Sequence, residues 1–265
     1  MGEDYSRELA AAKEIARRAG AVMLRYFEVE KGTLLKEDNT PVTLADKEIN
    51  RLVIEELETQ FDDGIIGEEE STAEYGAGRR WICDPIDGTK GFILGTPMSM
   101  FSLGFVVDGV ATLGVAYDPF LDKLYCAARG IGSFCNGTPL SVSHKSIAEA
   151  YVGLSGNAKK IDRYADCITR LAESGAEIVS FSGSVYKMCM VARGSLVGYM
   201  EAGINPHDTA AGEVIVEEAG GKVTDFKGQP LDYSKRFKGA VFSNTIVHQE
   251  LLDSLAGIEF SARDL

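Results

Sequence analysis

Trp81-Ile82-Cys83-Asp84-Pro85-Ile86-Asp87-Gly88-Thr89 is an apolar run that empties into two aspartates and a glycine. Its first three residues read as a short strand, and the rest as a turn that Pro85 stiffens and Gly88 frees. Two aspartates three apart on such a turn can point at one centre. Carboxylates held about 4 Å apart in a partly wet site repel by roughly 4 kcal/mol per pair. The segment therefore calls for a cation or a shared proton between Asp84 and Asp87.

Upstream, Ile65-Ile66 is a second short apolar run that also ends in acid, Gly67-Glu68-Glu69-Glu70. Glu68 is thereby a candidate third carboxylate, and Asp208, ahead of a later helix, a fourth. With no Cys or His pattern beside them, an all-oxygen set favours Mg²⁺, Mn²⁺ or Ca²⁺ over zinc. Further upstream, apolar residues recur at helical spacing from Leu9 to Phe27. Thr43 with Asp46 three residues on resembles a capping box, opening a helix after Pro41 whose stripe is Ile49, Leu52, Val53 and Leu57.

Downstream, MSMFSLGFVV (98–107) and VATLGVAY (110–117) flank Asp108-Gly109, a hairpin signal. KLYCAA (123–128) continues the sheet, and Asn136-Gly137 marks another tight turn. After about Ser146 strands alternate with helices: YVGLS, a helix from Ile161 to Ala172, EIVSF, a helix from Val185 to Ala192, and LVGYME. A helix from Thr209 to Ala219 and strands KVTDF and GAVFSN complete the chain. The expectation is an α+β half, residues 1–146, and an α/β half, residues 147–265, joined without a linker and with the site between them.

Composition narrows the function classes. The 265 residues are 45% hydrophobic and 25% charged, an ordinary globular balance, and the net charge of -13 argues against a nucleic-acid polymer as partner. Five cysteines, odd in number and set in apolar segments, read as reduced thiols. The N-terminus lacks a signal-peptide pattern and no apolar run approaches a membrane span, so the expected location is cytoplasmic, with no membrane partner.

Taken singly, each acid also has a bland account. Asp84 and Asp87 suit a capped turn, Glu68 to Glu70 a solvated charge run, Asp208 a helix N-cap, Asp46 a capping box, and Thr89 another cap. In combination, GEE, DPIDGT and Asp208-Thr-Ala-Ala-Gly ahead of a helix ending Glu-Ala-Gly-Gly resemble the inositol monophosphatase family of magnesium-dependent, lithium-sensitive phosphatases. The resemblance starts at Lys36 and runs through Phe134-Cys-Asn-Gly to GAVFSN.

That resemblance implies a layered αβαβα sandwich, a homodimer, and hydrolysis of a small phosphate monoester by metal-activated water. Carried over residue by residue, Glu68, Asp84, Asp87, Asp208 and the Ile86 carbonyl hold two or three Mg²⁺ ions, with Mn²⁺ as a substitute. Thr89 sits against the attacking water, Asp46 orients its hydroxyl, and Glu69 supports the site. The amides of Gly88 and Thr89 cradle the phosphate. A bound cation also answers how so acidic a chain receives a phosphate. Haloacid-dehalogenase-like phosphatases place one residue between their two aspartates; here Pro85 and Ile86 make two.

For the substrate, Glu201 matches a glutamate that accepts a hydroxyl, and Ser184 and Lys90 are further candidate contacts. Inositol-type members usually carry tryptophan where this chain has His207, which reads as a packed neighbour of Asp208. Lys90-Gly91 and the run Ser182 to Lys187 look more like relatives acting on phosphoadenosine phosphate or histidinol phosphate. Lys90 and Lys187 are candidates to meet a second anionic group, although exposure is the usual fate of lysine. His144 and His248 show no constellation. The alternatives are a 3′(2′),5′-bisphosphate nucleotidase, a histidinol-phosphate phosphatase, or a non-catalytic binding member of the fold.

Overall fold

Ala12, Ile15, Ala19, Val22 and Met23 share one face of α1 (Ser6–Tyr26), and all five are buried. In the computed structural model, which describes residues 4–27, 34–35, 41–154, 164–237 and 239–258, that face lies beside α2 (Leu44–Glu58). The Thr43–Asp46 capping box opens α2 as the sequence suggests, with Thr43 N donating to Asp46 Oδ2 at 2.7 Å. Both helices cover one side of a seven-stranded sheet, where Trp81, Phe101 and Phe105 supply much of the apolar volume.

That sheet runs in the order β3 (Gly64–Gly67), β4 (Arg79–Asp87), β5 (Met100–Val107), β6 (Val110–Asp118), β7 (Lys123–Ala128), β8 (Gly132–Cys135) and β9 (Thr138–Pro139). Only β3 and β4 are parallel. Positive φ at both Asp108 (47°) and Gly109 (81°) gives the turn between β5 and β6 the hand that matches strand twist. A separate pair, β1 (Leu34–Leu35) with β2 (Pro41–Val42), precedes α2, and a short helix, α3 (Thr89–Ile93), follows β4.

The second sheet has five strands: β11 (Glu177–Val179), β10 (Tyr151–Leu154), β12 (Gly198–Ala202), β14 (Gly239–Ser243) and β13 (Lys222–Thr224). Its first three are parallel and the others antiparallel. Two helices, α5 (Ser184–Ala192) and α6 (Pro206–Glu218), fill the space between the sheets, and α4 (Ala165–Glu173) and α7 (His248–Ser254) cover the outer side of the smaller sheet. The layers therefore alternate α, β, α, β, α, as the resemblance implies.

Two close contacts set where α6 lies. A Cβ on Gly104 of β5 would come within 2.6 Å of Ala210 Cβ, and one on Gly114 of β6 within 2.3 Å of the Ala211 carbonyl. The two glycines thus let the helix backbone down onto the sheet. The helix starts at Pro206, not at Thr209 as its apolar residues suggest, because proline's fixed φ suits the first turn. Asp208 consequently stands inside the first turn and not at the N-cap, which Asn205 occupies. Ile161 and Lys36 lie outside the described residues, and β1, β2 and α7 have no counterpart in the sequence reading. The cysteines are all free, and none of the described helices is long and apolar enough to cross a membrane.

Candidate active site

Along a regular strand, residues three apart face opposite sides. Asp84 and Asp87 escape this rule because β4 is irregular between them: Asp84 pairs with Ser102 and Asp87 with Met100, so three steps on β4 meet two on β5. The extra residue restores both carboxylates to one side. Pro85 has no N–H to lose from the ladder, and the Ile86 amide is satisfied by Asp84 Oδ1 at 3.0 Å. From the other half of the chain, the first turn of α6 brings in Asp208, whose Oδ2 accepts from Asn205 N at 2.7 Å. Carboxylate oxygens of Asp84, Asp87 and Asp208 all lie within 4.8 Å of one another.

The electrostatics of this cluster are unfavourable to charge. Burial, then Glu68, Asp87, Asp208 and Asp46, push Asp84 well above the ordinary carboxylate range. Asp87 rises to about 7 through burial and Asp208, although Lys187 and the amides of Ser184 and Tyr186 work against the rise. Those amides, at 2.7 and 3.3 Å, open α5, so Asp87 also caps that helix. Asp208 rises to about 7 by burial, with Glu201 and Glu68 adding to it and Asn205 opposing. Asp46 rises to about 7 by burial against its Thr43 hydrogen bonds, with Glu68 and Glu69 adding to it. Among the described residues its buried Oδ1 has no hydrogen-bond partner. A hard divalent cation fits this donor set: the ligands are all oxygens, they converge from two elements, and burial with mutual repulsion outweighs the help from Lys187 and the nearby amides.

The cluster opens into a chamber of about 450 Å³ lined by Glu68, Asp87, Thr89, Lys90, Glu201 and Asp208 among others. Glu68 sits at the end of β3, its amide donating to Cys83 O at 3.1 Å. The neighbouring Gly67 is pressed against α2, where a Cβ would lie 2.1 Å from Asn50 Oδ1. Glu69 is not among the chamber's lining residues, and its influence reaches Asp46. Gly88 adopts φ 84°, and a Cβ there would approach Gly183 at 3.1 Å and the Met98 carbonyl at 3.2 Å. Thr89 Oγ1 donates to Ile86 O at 3.0 Å, so that carbonyl already holds one proton donor; among the described residues no hydrogen bond joins Thr89 to Asp46.

Ser184 and Glu201 meet, with Ser184 Oγ donating to Glu201 Oε2 at 2.8 Å. Tyr199 OH donates to the same oxygen, a contact the sequence reading lacks. Alternation along β12, which sets residues 199 and 201 on one side, was the available signal. Lys187 corrects the expectation of an exposed lysine. It is 2% exposed, donates to Phe181 O at 2.8 Å, and lies between the rings of Phe181 (5.2 Å) and Tyr199 (5.0 Å). Burial lowers its pKa, and Glu201, Asp87 and Asp208 oppose that fall. Lys90 is exposed at the chamber edge, as is Arg236, whose guanidinium covers the Tyr75 ring at 5.9 Å. No local pattern marks Arg236; the loop ahead of β14 delivers it.

His207 lines the chamber with Nε2 3.8 Å from Asp208 Oδ2. His248 does have a constellation, but a structural one. It is buried between Ser243 Oγ (2.7 Å) and Thr224 Oγ1 (2.9 Å), and desolvation lowers its pKa to about 4.

A model of the inositol monophosphatase family matches residues 4–258. The histidinol-phosphatase of Chlorobaculum parvum is 37% identical, over 95% of this chain and 98% of that protein. The fructose-1,6-bisphosphatase/inositol-1-monophosphatase of Thermotoga maritima is 35% identical over 90% of this chain and 92% of that protein. Among solved structures, a Thermotoga maritima IMPase superposes with a TM-score of 0.86 at 30% identity, covering 95% of this chain and 98% of that one. With the family match spanning nearly every residue and these relatives aligned end to end, the chain belongs to the inositol monophosphatase family.

Proposed function

We propose that this phosphoric monoester hydrolase cleaves a small phosphate monoester with Mg²⁺, or Mn²⁺ in its place, held by Glu68, Asp84, Asp87, Asp208 and the Ile86 carbonyl. The observation that carries this reading is the convergence of three carboxylates within 4.8 Å, two buried and the third, Asp208, partly so, all pushed above their ordinary range. Bound there, divalent ions supply Lewis acidity and a more acidic water. The water oxygen joins phosphorus, the phosphorus–oxygen bond to the alcohol breaks, and a proton passes to the departing oxygen.

The protein's own part is positioning. Thr89 holds the attacking water through its hydroxyl, which both accepts and donates. Asp46 is the group that orients that hydroxyl: its Oδ1, without a hydrogen-bond partner among the described residues, would take the proton that Thr89 Oγ1 gives to Ile86 O once that carbonyl holds a cation. Glu69 keeps the surroundings of Asp46 acidic. Amides of Gly88 and Thr89 receive the phosphate, Glu201 takes a substrate hydroxyl with Ser184 holding it, and Lys90, at the chamber edge, meets a second anionic group of the substrate. The metal turn belongs to a half at residues 1–146 and Asp208 to a half at 147–265.

Phosphate release from inositol 1-phosphate, fructose bisphosphate, histidinol phosphate and adenosine bisphosphate is expected with Mg²⁺ for at least one ester, to stop on chelation, and to fall with lithium. Calorimetric Mg²⁺ binding is expected for the intact chain and not for Asp208→Asn. Metal-independent turnover, or no release from any ester together with no Mg²⁺ binding, overturns the proposal. Release from none of them with Mg²⁺ binding intact points to the non-catalytic reading. A homodimer of cytoplasmic location is the matching expectation, checked by light scattering and fractionation.

A further inference from the structure

Lys187 stands in the first turn of α5, three residues after Ser184, so the two side chains share a face of that helix. An ammonium taken out of water is costly to the fold, and nearly the whole of this side chain is covered. Its hydrogen bond to the Phe181 carbonyl and its contacts with two ring faces offset part of that cost. Apolar residues of similar volume commonly replace buried ions without loss of stability, so the fold alone gives lysine no advantage over methionine here.

Room for the lysine is built into the smaller sheet. A Cβ on Gly153 of β10 would lie 3.4 Å from Lys187 Cδ and 3.3 Å from Tyr199 Cδ2, so the glycine leaves space for the lysine stem and the tyrosine ring side by side. The Tyr199 ring is fully buried and also stacks on Phe242, with centroids 5.7 Å apart. A ring held in this way presents its hydroxyl at one place. That place is Glu201: Tyr199 OH and Ser184 Oγ both donate to Glu201 Oε2, and two donors on one oxygen fix how the carboxylate is turned.

Lys187 touches both supports. It packs over the Tyr199 ring, and it ties down the carbonyl of Phe181, at the head of the stretch 181–184 that delivers the serine. Among the acids that oppose its lowered pKa, Glu201 acts most strongly, ahead of Asp87 and Asp208. We propose that Lys187 is a positioning residue for the substrate's hydroxyl, acting through Tyr199 and Ser184 to hold Glu201 as a fixed acceptor. The proposal rests on the hydrolase reading and on Glu201 as that acceptor.

Steady-state kinetics with Mg²⁺ on glycerol 2-phosphate and propan-2-yl phosphate test it, because these esters differ only in the hydroxyls. Lys187→Met and Tyr199→Phe are each expected to lower the kcat/KM ratio of the first ester to the second about tenfold, mainly through KM, the scale of a hydrogen bond to a charged group. An effect routed through the metals or through general loss of structure lowers both esters together and leaves the ratio alone. With Glu201→Gln already in place, Lys187→Met is expected to change the ratio by less than about twofold. A ratio unchanged by Lys187→Met, or lowered equally with and without Glu201, makes the lysine a packing residue and overturns the proposal. If Lys187→Met does not fold, Tyr199→Phe, which keeps the ring, decides by the same ratio. A ratio unchanged by Glu201→Gln removes the acceptor and overturns the proposal while the hydrolase reading stands. Should neither ester be hydrolysed, both are stable ligands, and the same ratio is read from their dissociation constants by calorimetry, where binding of neither overturns the proposal. Turnover of none of the esters named, these two included, is the separate failure of the hydrolase reading.

Discussion

In the C-terminal half of α6, Glu213 receives the Tyr233 hydroxyl at 2.7 Å and Arg129 at 3.1 Å, Glu217 pairs with the same arginine, and Glu218 accepts from the amides of Gly130 (3.0 Å) and Gly132 (2.8 Å). At the N-terminus of the same helix, Asp208 receives one backbone amide, and its near neighbours Asp84 and Asp87 are acids as well. Burial lifts Glu213 and Asp208 alike, each to about 7. What opposes burial differs. Around Glu213 a hydroxyl and a guanidinium stabilise the charge against Glu217, whereas around Asp208 Asn205 does so against both Glu201 and Glu68. An acid that serves the fold is completed from within the chain; an acid that serves a ligand is left for the ligand to complete.

Substitution tests that contrast directly. Asp87→Asn is expected to cost activity most, by about 10³ or more, since several kcal/mol of charge stabilisation leave with the metal. The metal-free variant should melt at or above the wild-type temperature, because like-charge repulsion falls. An Asp87→Asn protein that unfolds while its folded fraction stays fully active would make Asp87 a turn cap only.

Next come Thr89→Ala and Asp46→Asn, each expected to lower kcat by about 10² to 10⁴ with little change in KM. The double variant should be little worse than the poorer single one, because both act on one water. Asp46→Asn also weakens the capping box, by about 1 kcal/mol, visible as a small drop in Tm. Additive stability losses with near-normal turnover would leave the two residues as independent caps.

At the other end of α6, Arg129→Met is expected to act on stability, by about 2–3 kcal/mol. That is less than the 3–5 of a fully buried pair, because a third of the Arg129 side chain is exposed. Denaturant titration measures it, and kcat of the folded protein should change by less than threefold. The smallest effect expected is in pH dependence. Glu213, raised to about 7 in the fold from 4.5, binds a proton in the folded chain that the unfolded chain has released between those values. Its contribution to stability is therefore present at low pH and lost as pH rises to about 7. Glu213→Gln should flatten Tm between pH 5 and 8 relative to wild type; an unchanged slope would show that Arg129 and Tyr233 hold Glu213 charged throughout.

Much of this was legible locally. The α1 stripe, the Thr43–Asp46 box and the Asp108-Gly109 turn depend on periodicity and turn chemistry within a few residues, and each reappears in the fold. The candidate acids were legible because GEE, DPIDGT and the Asp208 stretch occur together; each alone suits a capped turn, a charge run or a helix cap equally well. The position of Asp208 in its helix was misread, since Pro206 carries no apolar signal yet starts α6.

The sequence by itself determined which residues are acids, which turns close and which helix faces are apolar, because these follow from side-chain type and spacing along the chain. Tertiary structure decided the rest. An irregular step opposite β5 turned Asp84 and Asp87 to one side, and Gly104 and Gly114 admitted α6 so that Asp208 could join them. Packing also buried Lys187 between two rings, against the usual exposure of lysine, and set Leu94 and Phe181, 87 residues apart, on the lining of one chamber. Such outcomes depend on the approach of segments distant in the chain, and distance along the chain carries no periodic signal of closeness in space.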